Sequence, residues 1–316
     1  MIAGRVAGSC ARPVASRTAL RQAARPGRPA RPGLQRCAAT LSDPLDNTAD
    51  GNAAPAADGP AVDVVLSSGW MAFARHAGFL QAVEDTGLRI NSLCGTSAGA
   101  MTGALYAAGY SPRRVAEELM RVPPIKLLKP GLPDVWNGAF IMEPAIERLR
   151  ELLPATFEEL DMPLVIGVVD SDGKHRLVSS GSLPEVVAAS ACVPKVFQPV
   201  HVPGLPNGPF VDGGAVDRVA LRPWRELRAS TSSDDEPELP VLVHVITRSS
   251  PYSGVDDISE EPALAVVRSP KSGFNLWDGA SDVYWGQMED SYRRAREEVA
   301  IAAKDLLAGG ESSSHD

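Results

Sequence analysis

No apolar run in the 316 residues approaches the roughly 20 needed to cross a bilayer, so any membrane contact of a chain like this would be peripheral. Cysteine is scarce and scattered, at Cys10, Cys37, Cys94 and Cys192. That excludes a disulfide framework and a recognisable metal site, and Cys94 and Cys192 read as small buried hydrophobes. The first 42 residues lack acidic residues and lysine altogether, yet carry Arg5, Arg12, Arg17, Arg21, Arg25, Arg28, Arg31 and Arg36. Against a whole-chain charge of -8, removing those eight positive charges leaves about -16 on the remainder. So acidic a body argues against a nucleic-acid partner.

The Arg-rich, acid-free start has the look of an organellar transit peptide. A basic arm for an anionic surface is the alternative. Arg25-Pro-Gly-Arg-Pro-Ala-Arg-Pro-Gly33 breaks any long amphipathic helix, which favours the plastid over the mitochondrion. The resulting division is 1–60 as transit peptide and disordered lead-in, 61–307 as the folded domain and 308–316 as a disordered tail. At 44% hydrophobic and 22% charged residues the body has ordinary globular composition.

What stands out is Gly95-Thr96-Ser97-Ala98-Gly99, a Gly-x-Ser-x-Gly sequence between an apolar run and a helical one. It reads as a nucleophile elbow, a sharp strand-to-helix turn that exposes the Ser hydroxyl and needs glycines where side chains would collide. The turn also sets Ser97 at a helix N-terminus, where free amides favour negative charge on oxygen. An ordinary strand-to-helix turn is the competing reading.

Around it the pattern predicts a strand from Val62 to Leu66 and a helix from Met71 to Asp85 closed by Gly87. A strand from Ile90 to Leu93 and a helix from Ser97 to Ala108 follow, then a helix capped by Ser111-Pro112 and running to Met120. Residues 121 to 142, Pro- and Gly-rich, form a long connection in which Trp136 and Phe140 pack on the body or cover a site. Further on come a helix from Glu143 to Leu153 and a hairpin of Pro163–Val169 with His175–Ser179 about the turn Asp170–Gly173. The remaining elements are a helix from Leu183 to Ser190, a short apolar Phe210-Val211, a strand from Val241 to Thr247 and a final helix from Asp282 to Leu307. Ser230–Glu238 reads as an acidic loop and Ser249–Phe274 as irregular chain.

A serine hydroxyl is a poor nucleophile until a base takes its proton. Asp212 fits that role, because Gly213 and Gly214 allow a tight turn from which its carboxylate can point out of a strand end; a turn Asp bonding its own backbone is the plain alternative. A Ser-His-Asp triad competes, with His201 or His244 as base, His175 less well placed and His315 in the tail. His76 reads as a packing or hydrogen-bonding residue of the first helix.

Four stretches in order resemble the patatin-like phospholipase family: Val64 to Leu80, the elbow Gly95 to Gly99, Ser179-Ser-Gly181 through Ala189-Ser-Ala-Cys-Val-Pro194 and Phe197-Gln-Pro199, and Val211-Asp212-Gly213-Gly214. The resemblance runs from Val62 to Leu221 and more loosely to Ala300. It implies an α/β fold, a three-layer αβα sandwich around a mainly parallel central sheet. It also implies hydrolysis of lipid acyl esters by a Ser97-Asp212 dyad, with no catalytic His, cofactor or metal. The family's Gly-Gly-Gly-x-Arg-Gly turn supplies oxyanion amides; aligned on His76 and Gly78, this chain puts Ser68, Gly69 and Trp70 in the three Gly slots, Ala72 in the Arg slot and Phe73 in the last. Gly69, Trp70 and Ala98 are then the oxyanion candidates, with Trp70 and Phe73 the residues that would resist a positive φ. The competing outcome is a catalytically weak or inactive relative that binds lipid or a partner. Lys195 and the Arg293-Arg294-x-Arg296 cluster are candidate lipid contacts, the terminal helix reading foremost as a core-packing element. The implied partner is a lipid substrate, and the oligomeric state is open.

Overall fold

The structure, a computed structural model, describes residues 59–132, 135–231, 238–248, 253–256, 258, 264–273 and 282–312. The expected transit peptide and lead-in, Cys10, Cys37, His315 and most of the acidic loop lie outside these. Among the described residues no helix is long and apolar enough to cross a membrane.

The centre is a mixed, mostly parallel sheet flanked by helices. Its strands are β1 (Ala61–Leu66), β2 (Arg89–Thr96), β5 (Leu164–Val169), β6 (His175–Val178), β7 (Val211–Asp212), β8 (Val241–Ile246) and β9 (Ala265–Ser269), while β3 (Lys129–Pro130) and β4 (Phe140–Ile141) form a separate small ribbon. The order is β6-β5-β2-β1-β8-β9, parallel from β5 through β9, with β6 and β7 antiparallel to β5. The β-rich runs are buried on both faces, as strands of a covered parallel sheet must be. Val64, Leu66, Leu93, Ile166, Val168 and Leu242 belong to one apolar cluster. Val65, Cys94, Val165 and Val243 face the other way, onto Leu221 and Trp224 of helix α6 (Leu221–Thr231).

The first face carries α1 (Phe73–Asp85), α2 (Ala98–Ala107), α5 (Leu183–Ser190) and α7 (Asp282–Ser312). Two more helices, α3 (Pro112–Met120) and α4 (Glu143–Leu152), pack beside them. The small residues of α2 let it sit buried between the sheet and α1, α3 and α5. α7 lies along α1 so closely that a Cβ on Gly78 would stand 2.1 Å from the Met288 carbonyl oxygen. Its Ala295, Val299, Ala302 and Ala303 are buried, so the terminal helix is a packing element first.

Several boundaries moved. β2 runs to Thr96, three residues beyond the expected strand, because its last residues pair with β5. The connection 121–142 is not all irregular: it holds one helical turn at Pro124–Leu127 and the β3–β4 ribbon. Phe140 does pack, tilted against Phe197 at 6.3 Å, but Trp136 is 86% exposed and touches no core. The segment expected to be irregular after Ser249 contains β9, which adds to β8 as an edge strand. The last helix continues to Ser312.

Candidate active site

Strand register brings the site together. β2 stays on β5 until Thr96 pairs with Gly167. One residue later the chain turns away at Ser97 and β7 takes the vacated edge, Asp212 pairing with Val168. Residues 115 apart in sequence thus meet at one strand end.

Ser97 adopts φ 55, ψ -117, a strained conformation for a residue with a side chain, and its carbonyl accepts the first α2 bond from the Met101 amide. Two contacts explain its glycines. A Cβ on Gly95 would lie 2.6 Å from the Gly99 carbonyl oxygen, and one on Gly99 would lie 2.3 Å from that of Leu66. Ser190, in the Ala-Ser stretch of α5, holds the turn from outside: its Oγ accepts from the Ser97 amide at 2.9 Å and donates to the Gly167 carbonyl at 2.7 Å. Sequence reading put Ser190 in a motif without giving it this task.

Asp212 is buried, 5% exposed, and its Oδ1 accepts from the Gly214 amide at 2.7 Å. Burial pushes its pKa up to about 6; a hydrogen bond with the Ser97 side chain, the Gly214 amide and the charge of Arg218 each pull it down. Gly213 and Gly214 are required by close approach. A Cβ on Gly213 would meet the Gly167 carbonyl oxygen at 2.4 Å, and one on Gly214 would meet Ser68 Oγ at 2.4 Å.

The turn after β1 closes the same region. Gly69 packs on Ile246, which a Cβ there would meet at 2.8 Å. Ala72, Ala98 and Ile246 form one small apolar cluster, so the residue after Ser97 touches the turn directly. Trp70 is half-buried. The strain expected at Trp70 or Phe73 falls instead on Met71, at φ 52. Phe73 is buried against Tyr284 at 5.0 Å, an ordinary first residue of α1.

Arg218 fixes this turn, and no motif announced it. Its side chain is 2% exposed. Nη2 donates to the Ser68 carbonyl at 3.0 Å and to the Ile246 carbonyl at 2.7 Å, while Nη1 pairs with Asp256 at 2.8 Å. The Arg218 carbonyl accepts from the Ser68 amide at 2.6 Å. A buried guanidinium with partners for both amino groups is a stable clamp.

The histidines do other work. His244 stacks on Phe79 and bonds His76 Nδ1 to Nδ1 at 2.9 Å and Ser269 Oγ at 2.9 Å. Burial pushes His76 down to about 3 and His244 well below its usual value, so both are neutral packing residues between α1 and β8. His201 is exposed on a loop, and His175 ends the hairpin near Gly167. Among the described residues the side chain bonded to Asp212 is Ser97, and the triad reading finds no base. Cys94 and Cys192 are buried, their thiols pushed up by burial, Cys192 to about 12, which makes them inert. Lys195 is exposed. The described residues contain no cluster of His, Cys, Asp and Glu able to hold a metal.

Residues 64–223, half of the chain, match the sequence model of the family described as patatin-like phospholipase. The chain belongs to that family. Among curated sequences it is 29% identical over 168 residues to an uncharacterized NTE family protein of Mycobacterium bovis, and equally to a counterpart in Mycobacterium tuberculosis. The match takes in 52% of this chain and 45% of each relative, so the chain spans about half the length of the curated relatives it matches. Among solved structures, VipD from Legionella pneumophila superposes with a TM-score of 0.44 at 12% identity, over 76% of this chain and 67% of that one. The ExoU-SpcU complex from the type III secretion system of Pseudomonas aeruginosa gives 0.42 at 16%, over 78% and 52%. The matched residues 64–223 take in the elbow, the Asp-Gly-Gly and the turn after β1.

Proposed function

We propose that the protein is a serine acyl hydrolase of phospholipid or galactolipid esters. The observation that carries this reading is a serine in a strained elbow beside a buried carboxylate whose pKa is raised to about 6. Above that pH Asp212 is ionised and a stronger base than an exposed Asp. Ser97 Oγ attacks the ester carbonyl carbon as its proton passes to Asp212. The oxyanion faces the amides of Gly69, Trp70 and Ala98, at the junction of the turn and α2. As the ester C–O bond breaks, Asp212 returns the proton to the leaving alcohol. Water then attacks the acyl-Ser97 carbonyl, gives a proton to Asp212 and releases the fatty acid, restoring the serine.

The second reading, a weak or inactive lipid-binding relative, is favoured by one feature: Ser68 and Trp70 stand where the family has glycine. One experiment separates the two. The purified full chain is exposed to a fluorophosphonate probe and to phosphatidylcholine and galactolipid in detergent, beside Ser97→Ala. Labelling and fatty-acid release that both vanish in the variant, by at least about 1,000-fold in rate, support the hydrolase. Neither labelling nor release from the unaltered chain would sink it. The plastid address of residues 1–60 is a separate proposal, checked by where a fluorescent fusion of that segment goes.

A further inference from the structure

The carboxyl ends of β8 and β9 frame a shallow, open cavity of about 440 Å³ lined by Thr247 and Arg248 after β8, Arg268, Ser269, Pro270 and Lys271 at the end of β9, and Arg294 of α7. Four of those residues are cations, and none carries a carboxylate. Arg268 and Lys271 are exposed. Arg294 shares Asp290 with Arg75, so that carboxylate already serves two guanidiniums. Arg248 donates to the Gly254 carbonyl, a neutral partner. Four cations gathered on one open face repel one another, and an anion placed among them relieves that repulsion. The floor is polar and firm: the Thr247 amide donates to the Ser269 carbonyl at 2.9 Å, and Ser269 Oγ bonds Ser291 at 3.1 Å.

Its position gives it meaning. β1, β2, β8 and β9 are parallel, so the cavity opens at the end of the sheet where β2 releases Ser97. Ligands of open α/β sheets gather at that end. β8 is two strands and β9 three strands from β2, a span of about 10–14 Å at ordinary strand spacing. That exceeds the few covalent bonds between a phosphate and the nearest acyl ester of one lipid. A phosphate bound here belongs to a neighbour of the lipid being cleaved.

We propose that this cavity binds the phosphate of an anionic lipid head group and anchors the carboxyl edge of the sheet, with Ser97, against an anionic lipid surface. The choice of lipid as ligand rests on the hydrolase reading; the binding itself does not require turnover. An acidic protein would otherwise be repelled by such a surface, so the contact must be local and salt-sensitive.

The test uses the full chain carrying Ser97→Ala, so that binding and catalysis are read separately. Co-sedimentation is measured with vesicles of dioleoylphosphatidylcholine alone and with added dioleoylphosphatidylglycerol. Binding is expected only to the second, weakening as salt rises. Arg268→Glu with Lys271→Glu should lower it at least about tenfold, at an unchanged melting temperature. Should the double variant melt early, Arg268→Ala and Lys271→Ala should each cost about fivefold. Lys304→Glu, exposed on α7 but outside the cavity wall, should bind as before. Equal loss in Lys304→Glu, or equal binding to both vesicles, would overturn the cavity as the anchor. Inorganic phosphate bound by the cavity, with vesicle binding indifferent to the Arg268 and Lys271 changes, would overturn the lipid assignment in favour of a free-phosphate site. Absence of fatty-acid release from the unaltered chain would remove the hydrolase reading and leave the vesicle result standing.

Discussion

Two turns leave adjacent strands at the same end of the sheet, and they are held in opposite ways. The elbow after β2 is fixed mainly by its immediate neighbours: Gly95 against Gly99, Gly99 against Leu66, with Ser190 as an outside tie. The turn after β1 has a strained Met71 and relies on Arg218, 150 residues downstream, for its hold on the Ser68 carbonyl. Local constraint tolerates no substitution and leans on a single outside tie, whereas remote constraint tolerates Ser68 and Trp70 in the place of glycine because something distant restrains the backbone.

The comparison can be broken first at Asp212, where both turns converge. Asp212→Asn should lower ester hydrolysis by about 1,000-fold or more, since the proposed base is gone. It should also stabilise the fold at pH 8 by up to about 3 kcal/mol, the cost of ionising a buried carboxyl. The sign follows from the raised pKa: the aspartate's contribution is full below its unfolded value and is lost as pH rises through about 6, so the variant's advantage disappears in acid. Urea melts at pH 4 and pH 8 check this. In the unaltered protein kcat/KM should fall on the acid side with a midpoint near pH 6.

Arg218→Met sharpens the contrast by loosening one turn alone. The orphaned Ser68 and Ile246 carbonyls cost about 1–3 kcal/mol of stability. We expect kcat to drop about 10- to 100-fold with KM little changed, on the view that the oxyanion amides lose their aim. Arg218→Lys should recover part of the rate. With Arg218→Met the acid midpoint should rise, because the positive charge that favours ionised Asp212 is removed; an unmoved midpoint and unmoved kcat would mean that the turn holds itself. Ser190→Ala tests the elbow's outside tie and should cost about tenfold in rate, because the Ser97 amide and Gly167 carbonyl lose their partner. Last, Met71→Gly should raise stability by well under about 1 kcal/mol, relief of positive-φ strain being nearly offset by glycine's chain entropy. A loss of stability would show that the Met71 side chain carries the turn by packing.

Much of this site was legible because its constraints are short-ranged. The elbow, the Asp-Gly-Gly and the buried strands follow from glycine spacing and two-sided apolar runs within a dozen residues. Arg218 was not legible, since nothing near it in sequence marks a cation that will be buried. β9 was missed because an edge strand, paired on one side, carries a weaker apolar pattern; exposed Arg268 interrupts it near its end. The connection that carries Trp136 was expected to pack on the body or cover a site, and the ring itself stands in solvent.

By itself the sequence determined that a serine would stand in a glycine-walled turn between a strand and a small-residue helix, because only glycine fits there whatever surrounds it. The tertiary structure alone decided that Asp212 would meet that serine and that a distant arginine would hold the facing turn. Both depend on which strand fills the edge that β2 leaves on β5 and on where buried charge finds its partners. Those are properties of chain segments brought together, and no local pattern encodes them.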